Sequence, residues 1–155
     1  NKCQCSQGYY QWDEVNDFIG SGENSNVYKA VRINTHDNNN NVINDKCNNN
    51  TSNDDIVAIK RIPPEVITKD ILERVQQEAR ILMEVNELNK NEEKDQFLKF
   101  KEGYLDEDGG ICLVSEFING NELLELTEQF PRGVPETIAK YYIKQILEAM
   151  KKLHD

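Results

Sequence analysis

The stretch Ile19–Val31, IGSGENSNVYKAV, decides how the rest of this chain is read. Gly20 and Gly22 stand one residue apart, small polar residues follow, and Val27, Tyr28 and Val31 then favour a strand. The glycines therefore occupy a turn between two short strands within the span from Trp12 to Ile33. A dinucleotide-binding turn leads from a strand into a helix, and this one does not. A Walker phosphate loop ends in Gly-Lys-Ser/Thr, which is absent. Two readings remain: a plain hairpin, or a hairpin whose backbone cradles phosphates.

Two charges downstream separate these readings. The segment DIVAIKRI resumes the sheet at Ile56, and Pro63 and Pro64 end it. Strand alternation puts Ala58 and Lys60 on one face with Ile56 and Ile62, so an ammonium group stands among apolar neighbours. A helix is expected to open at Asp70, with Glu73 as its capping partner, and to run to about Leu88. Ile71, Val75, Leu82 and Val85 form its apolar stripe, and Glu78 falls on that stripe. Either charge alone would be costly to bury. Two opposite charges in inward register can instead form an ion pair.

Outward from there, QFLKFKEGYLD (96–106) and GICLVSEF (110–117) read as two strands joined by a turn at Asp106–Gly110. NELLELTEQF (121–130) reads as a short helix, and Pro135 and Glu136 start a longer one. Ala139, Tyr142, Ile146, Ala149 and Leu153 form a stripe on that last helix, widened by Ile143, Leu147 and Met150. A helix so apolar is expected to be buried. Too little chain surrounds it here, so the sequence is expected to be a piece of a larger protein. The tract 34–55 is dominated by Asn and cannot bury enough apolar surface to offset its ordering entropy. It reads as a disordered insertion between two strands.

The 155 residues carry a formal net charge of −10, which argues against non-specific binding to nucleic acid or anionic membrane. No apolar run is long enough to cross a bilayer. Cys3, Cys5, Cys47 and Cys112 form no disulfide framework, so a reducing, intracellular compartment is expected. Cys3 and Cys5 lack further nearby ligands and the usual zinc spacing, and no metal site is expected from them.

Taken in order, IGSGENSNVYKAV, VAIK, Glu78 in QQEARILMEV and LVSEFINGNEL resemble a eukaryotic protein kinase domain. The final AKYYIKQILEAMKKLHD resembles the helix that leads into the kinase catalytic loop. The resemblance implies an α+β, protein-kinase-like fold: an antiparallel five-stranded N-lobe sheet with helix C, then the first helices of a helical C-lobe. It implies an N-terminal flank at 1–11 and a partial kinase domain at 12–155. Within that domain it places an N-lobe at 12–114 holding the insertion 34–55, a hinge at 115–120 and the start of the C-lobe at 121–155.

The resemblance also assigns roles. Gly20 and Gly22 would let the backbone close over the phosphates of ATP, with Ser25 at the position of a third glycine. Ile19, Val27 and Ala58 would cover the adenine. Lys60 would hold the α- and β-phosphates, paired with Glu78. Ser115 occupies the gatekeeper position, Glu116 and Ile118 would offer backbone groups to the adenine edge, and Glu122 would meet the ribose. Leu82 and Phe100 match the N-lobe members of the hydrophobic column that links the lobes. Simple core packing is the alternative for Val27, Ala58, Leu82 and Phe100, and a solvated helix face is the alternative for Glu122.

The function implied is transfer of the γ-phosphate of ATP, with Mg2+, to Ser/Thr of a protein substrate in the cytoplasm. The hinge-to-helix stretch resembles the calcium/calmodulin-dependent and related kinases. The His-Arg-Asp loop, its Asn and the Asp of Asp-Phe-Gly are not in the sequence, so these residues alone are expected to be inactive and to hold no metal. The alternative is a pseudokinase, a nucleotide-binding or scaffold module.

Overall fold

The computed structural model of the protein describes residues 2–5, 8–34, 56–89 and 96–154. The expected insertion lies outside them, apart from Asn34, and so do His36 and Cys47. Among the described residues, seven strands form one antiparallel sheet: β1 (Lys2–Cys5), β2 (Gly8–Gln11), β3 (Phe18–Ser21), β4 (Asn26–Asn34), β5 (Ile56–Ile62), β6 (Phe100–Leu105) and β7 (Ile111–Glu116). Their order is β1-β2-β4-β5-β7-β6, with β3 paired to β4 off this path. Strands β3 and β2 divide one edge of β4: Phe18 to Ser21 line its first residues and Gly8 to Gln11 its last. The five strands expected from the sequence are all present, and the N-terminal flank adds two more.

Those added strands help to seal the core. Tyr10 and Trp12 are 1% and 3% exposed, and they pack with Tyr28, Ala30, Val57, Ile59, Cys112 and Val114 on one face of the sheet. Tyr10 stacks on Tyr104 with ring centroids 5.9 Å apart, and its hydroxyl donates to Glu102 Oε1 at 2.7 Å. Trp12 stacks on Tyr28. Two aromatic side chains of this size supply several kcal/mol of burial, about 1.5–3 each.

The other face carries Ile62, Phe100, Ile111 and Leu113, and the helix α1 (Lys69–Asn89) covers it with Val75, Ile71, Ala79 and Leu82. The helix starts one residue earlier than expected. Its cap is Thr68, whose hydroxyl accepts the N–H of Ile71 at 3.3 Å. Glu73 pairs with Lys69 on the exposed surface at 3.8 Å and takes no part in the cap.

The turn between β6 and β7 is tied to β5. The Asp106 carboxylate accepts the N–H groups of Asp108 at 3.0 Å and Gly110 at 2.7 Å, and Arg61 Nε at 2.5 Å. Gly109 closes the turn at φ +87°, where a side chain would be strained. The helices α2 (Leu123–Glu128) and α3 (Glu136–His154) follow. The apolar stripe of α3 is there as the sequence suggested. No residue of this helix is buried, and Ile143, Leu147 and Leu153 are more than half exposed. Among the described residues, no helix is long and apolar enough to cross a membrane.

Candidate functional site

The register of the sheet gathers the candidate residues. Val27 lies opposite Lys60, and Lys60 lies opposite Leu113. Ala58 lies opposite Ser115, and Ser115 opposite Phe100. Side chains in rows two residues apart share a face. Val27, Ala58, Lys60 and Ser115 therefore project from the face that also carries α1. Gly20 pairs with Val27, which puts it two strand spacings, about 10 Å, from Lys60. Ile19 falls where the β3–β4 register shifts, and its side chain is about half exposed.

The glycine turn is a tight hairpin. The N–H of Gly22 donates to Ser25 O at 2.7 Å, leaving Glu23 and Asn24 at the tip. A Cβ on Gly20 would meet nothing within 4 Å, so the fold itself does not require glycine there. A Cβ on Gly22 would stand 3.2 Å from Ser25 Oγ. Ser25 thus fills the space over Gly22 that a third glycine would leave open.

Lys60 and Glu78 meet. Lys60 Nζ donates to both carboxylate oxygens, at 2.6 and 2.8 Å, and so joins β5 to α1. The pair is not buried as expected: the side chains are 35% and 39% exposed. Strand alternation explains the difference. Val57 and Ile59 face the sealed aromatic core, whereas Ile56, Ala58 and Lys60 face the side that one helix covers. That helix packs chiefly on β6, so the middle of β5 stays half open. The bond is short and two-pronged, and partial exposure spares both groups the full cost of desolvation while solvent screens their attraction.

The remaining candidates spread along the segment after β7. Glu116 ends that strand. Its N–H donates to Lys99 O at 2.9 Å and its carboxylate accepts the N–H of Lys99 at 2.8 Å. Beyond it Ile118 is 65% exposed. Glu122 caps α2 through its backbone only and is exposed. It lines a groove of about 620 Å³ between α2 and α3, with Leu126, Tyr142 and Ile146. A second groove, of about 670 Å³, runs along α1 and includes Glu78, Ile81 and Leu82. The linings of these two grooves have no residue in common, Glu78 belonging to one and Glu122 to the other.

Leu82 packs against the core cluster that contains the buried Phe100. Three features escaped the sequence reading. Asn86 bonds the backbone of Phe100 twice. Its one signal was position: Leu82 and Asn86 are four apart, which puts an amide on the apolar stripe of the helix. Lys29 lies over the Phe117 ring, 4.9 Å from its centroid, and ties β4 to the segment after β7. Arg61, beside Lys60, pairs with the almost fully buried Asp106. Burial alone would lower the pKa of Arg61; the hydrogen bond and charge of Asp106 outweigh it and hold the guanidinium above its ordinary value.

The family model described as protein kinase domain matches residues 41–155. The glycine hairpin precedes that span. Cyclin-dependent kinase-like 5 of Mus musculus is 30% identical over 109 residues, 70% of this chain and 11% of that protein. Cyclin-dependent kinase-like 5 of Homo sapiens is likewise 30% identical over 109 residues, 70% of this chain and 10% of that protein. The chain spans about a tenth of the length of these curated relatives.

Proposed function

The chain belongs to the protein kinase family, and on that premise we propose that it forms the ATP-binding part of a kinase that phosphorylates Ser/Thr of protein substrates. The observation that carries this reading is the two-pronged Lys60–Glu78 pair on the face that also presents Val27, Ala58 and Ser115. The residues present fit a nucleoside triphosphate. The open space at Gly20 is room that a Cβ would take from a ligand, and an ammonium stands two strands away.

When bound, ATP supplies the γ-phosphoryl group. The chain's own residues bind and orient it. The backbone of Gly20, Gly22 and Ser25 closes over the phosphates, and Lys60 holds the α- and β-phosphates while Glu78 fixes the direction of its ammonium. Ile19, Val27 and Ala58 cover the adenine, and the small Ser115 leaves space behind it. Because the N–H of Glu116 is committed to Lys99, the donor at the adenine edge falls to the exposed Ile118, with Glu116 contributing its carbonyl. Glu122 reaches the ribose only if α2 and β5 border one cleft with the nucleotide between them. In a chain of net charge −10 a triphosphate needs more countercharge than Lys60 supplies. Mg2+ would provide it, and none of its protein ligands is assigned to a residue here.

The domain division is proposed as read: an N-lobe to residue 114, a hinge at 115–120 and the start of a C-lobe from 121. The N-terminal flank at 1–11 is kept in this division, with its strands β1 and β2 paired to the sheet. The proposal includes a protein substrate and a cytoplasmic setting, and it includes neither nucleic acid nor membrane as a partner. The matched relatives carry the name of another kinase group than the calcium/calmodulin-dependent kinases, so the proposal is made for the family as a whole.

The test is phosphotransfer by the full-length protein to Ser/Thr peptides, with Lys60→Met as control. Loss of one preorganised electrostatic donor is expected to cost about 10²–10³-fold in kcat. Nucleotide binding without transfer would replace the enzyme with a scaffold module. Absence of both would end the reading.

A further inference from the structure

Asn86 makes an unusual connection for a helical residue. Its Oδ1 accepts the N–H of Phe100 at 2.9 Å, and its Nδ2 donates to Phe100 O at 2.5 Å. This is the pairing a neighbouring strand would offer. Phe100 has these groups to give because β6 is the terminal strand of the sheet among the described residues, with β7 on its other side. The same residue is held a second way, since it is buried in the core cluster against which Leu82, one helical turn before Asn86, also packs.

The helix α1 also meets the sheet through apolar packing and through the partly exposed Lys60–Glu78 pair. Apolar packing is non-directional and tolerates small rotations and slides. Two convergent hydrogen bonds do not, because each weakens steeply when misaligned. Asn86 lies eight residues after Glu78, about 12 Å along the helix axis. Fixing one end fixes the rotation and height of the other.

We infer that Asn86 is a positioning residue: by clamping the end of α1 to the backbone of Phe100, it sets where Glu78 meets Lys60. The inference rests on the kinase reading of that pair. Asn86 stands about two helical turns from Glu78 and bonds the backbone of Phe100, so its effect on activity passes through the helix.

The experiment is a double-mutant cycle in the full-length protein between Asn86→Ala and Glu78→Gln, read as kcat/KM for ATP. Alanine favours the helix, so the variant removes the clamp and spares the element. Asn86→Ala is expected to cost roughly tenfold in the wild-type background and less than about twofold once Glu78 is gone. Equal losses in both backgrounds, or no loss, would overturn the inference. Two readouts stand apart from activity. Spin labels on Arg80 and Glu107, both exposed, are expected to give one narrow distance that broadens in Asn86→Ala; an unchanged distribution counts against the clamp. Slow hydrogen exchange at the Phe100 amide is required in the wild type, and fast exchange there refutes the clamp without any variant. If the wild type shows no transfer above Lys60→Met, the kinase reading fails while these two readouts still judge the clamp.

Discussion

Gly20→Ala separates the demands of the fold from those of a ligand. The residue sits in β3 opposite Val27, and among the described glycines only Gly109 and Gly133 have positive φ. An alanine Cβ there meets no protein atom within 4 Å. The substitution should therefore stabilise the protein by about 0.4–1 kcal/mol, through a less disordered unfolded chain. That is a rise of about 1–4 °C in Tm for a domain of this size. The same methyl group keeps the backbone away from a phosphate and forfeits a hydrogen bond to a charged group, about 1.5–3 kcal/mol. ATP affinity should fall by about 10–100-fold. Thermal melting without ligand and calorimetric titration with Mg-ATP, both on the full-length protein, read the two effects separately. A lower Tm with unchanged ATP affinity would refute the reasoning, since the glycine would then serve the hairpin alone.

Trp12→Ala should cost about 3–5 kcal/mol, read as a lower urea midpoint at unchanged slope, because the indole is 3% exposed within the aromatic core. ATP affinity of the folded protein should hold, since Trp12 packs on the face opposite Lys60. Asp106→Ala should cost about 1–3 kcal/mol, since it leaves Arg61, at 13% exposure, with only its longer contact to Asp108 and removes the acceptor of two turn N–H groups; a double variant Arg61→Met/Asp106→Leu should recover part of that loss in the same melt. Asp13 accepts the N–H groups of Asn16 and Val15, which hold its pKa below the ordinary 3.8. A depressed carboxylate stabilises the fold above its unfolded pKa, so this contribution should persist down to about pH 4 and vanish as the pH falls through the folded value. Asp13→Asn should flatten that part of the acid limb of the stability curve, and an identical acid limb would count against it.

Much of this architecture was legible because it rests on local rules. Alternation in IVAIKRI, the prolines after it, the stripe of α1 and the turn residues at Asp106–Gly110 each act within a few residues. They placed five strands and three helices, and they put Lys60 and Glu78 in register to meet. What stayed hidden depends on pairings between distant segments. Residues 2–11 carry little strand signal of their own, and they became β1 and β2 because the far end of β4 had a free edge. Burial was likewise beyond the sequence. Alternation says that Ala58 and Lys60 share a face, whereas only the placement of α1 on β6 leaves that face half open. The α3 stripe was legible as amphipathic, and its exposure was not, since a helix cannot record which surface covers it. Asn86 shows the same limit at one residue: its spacing from Leu82 is written in the chain, but the Phe100 backbone it grips belongs to another strand, and only folding brings an edge strand's unpaired groups within reach of an amide.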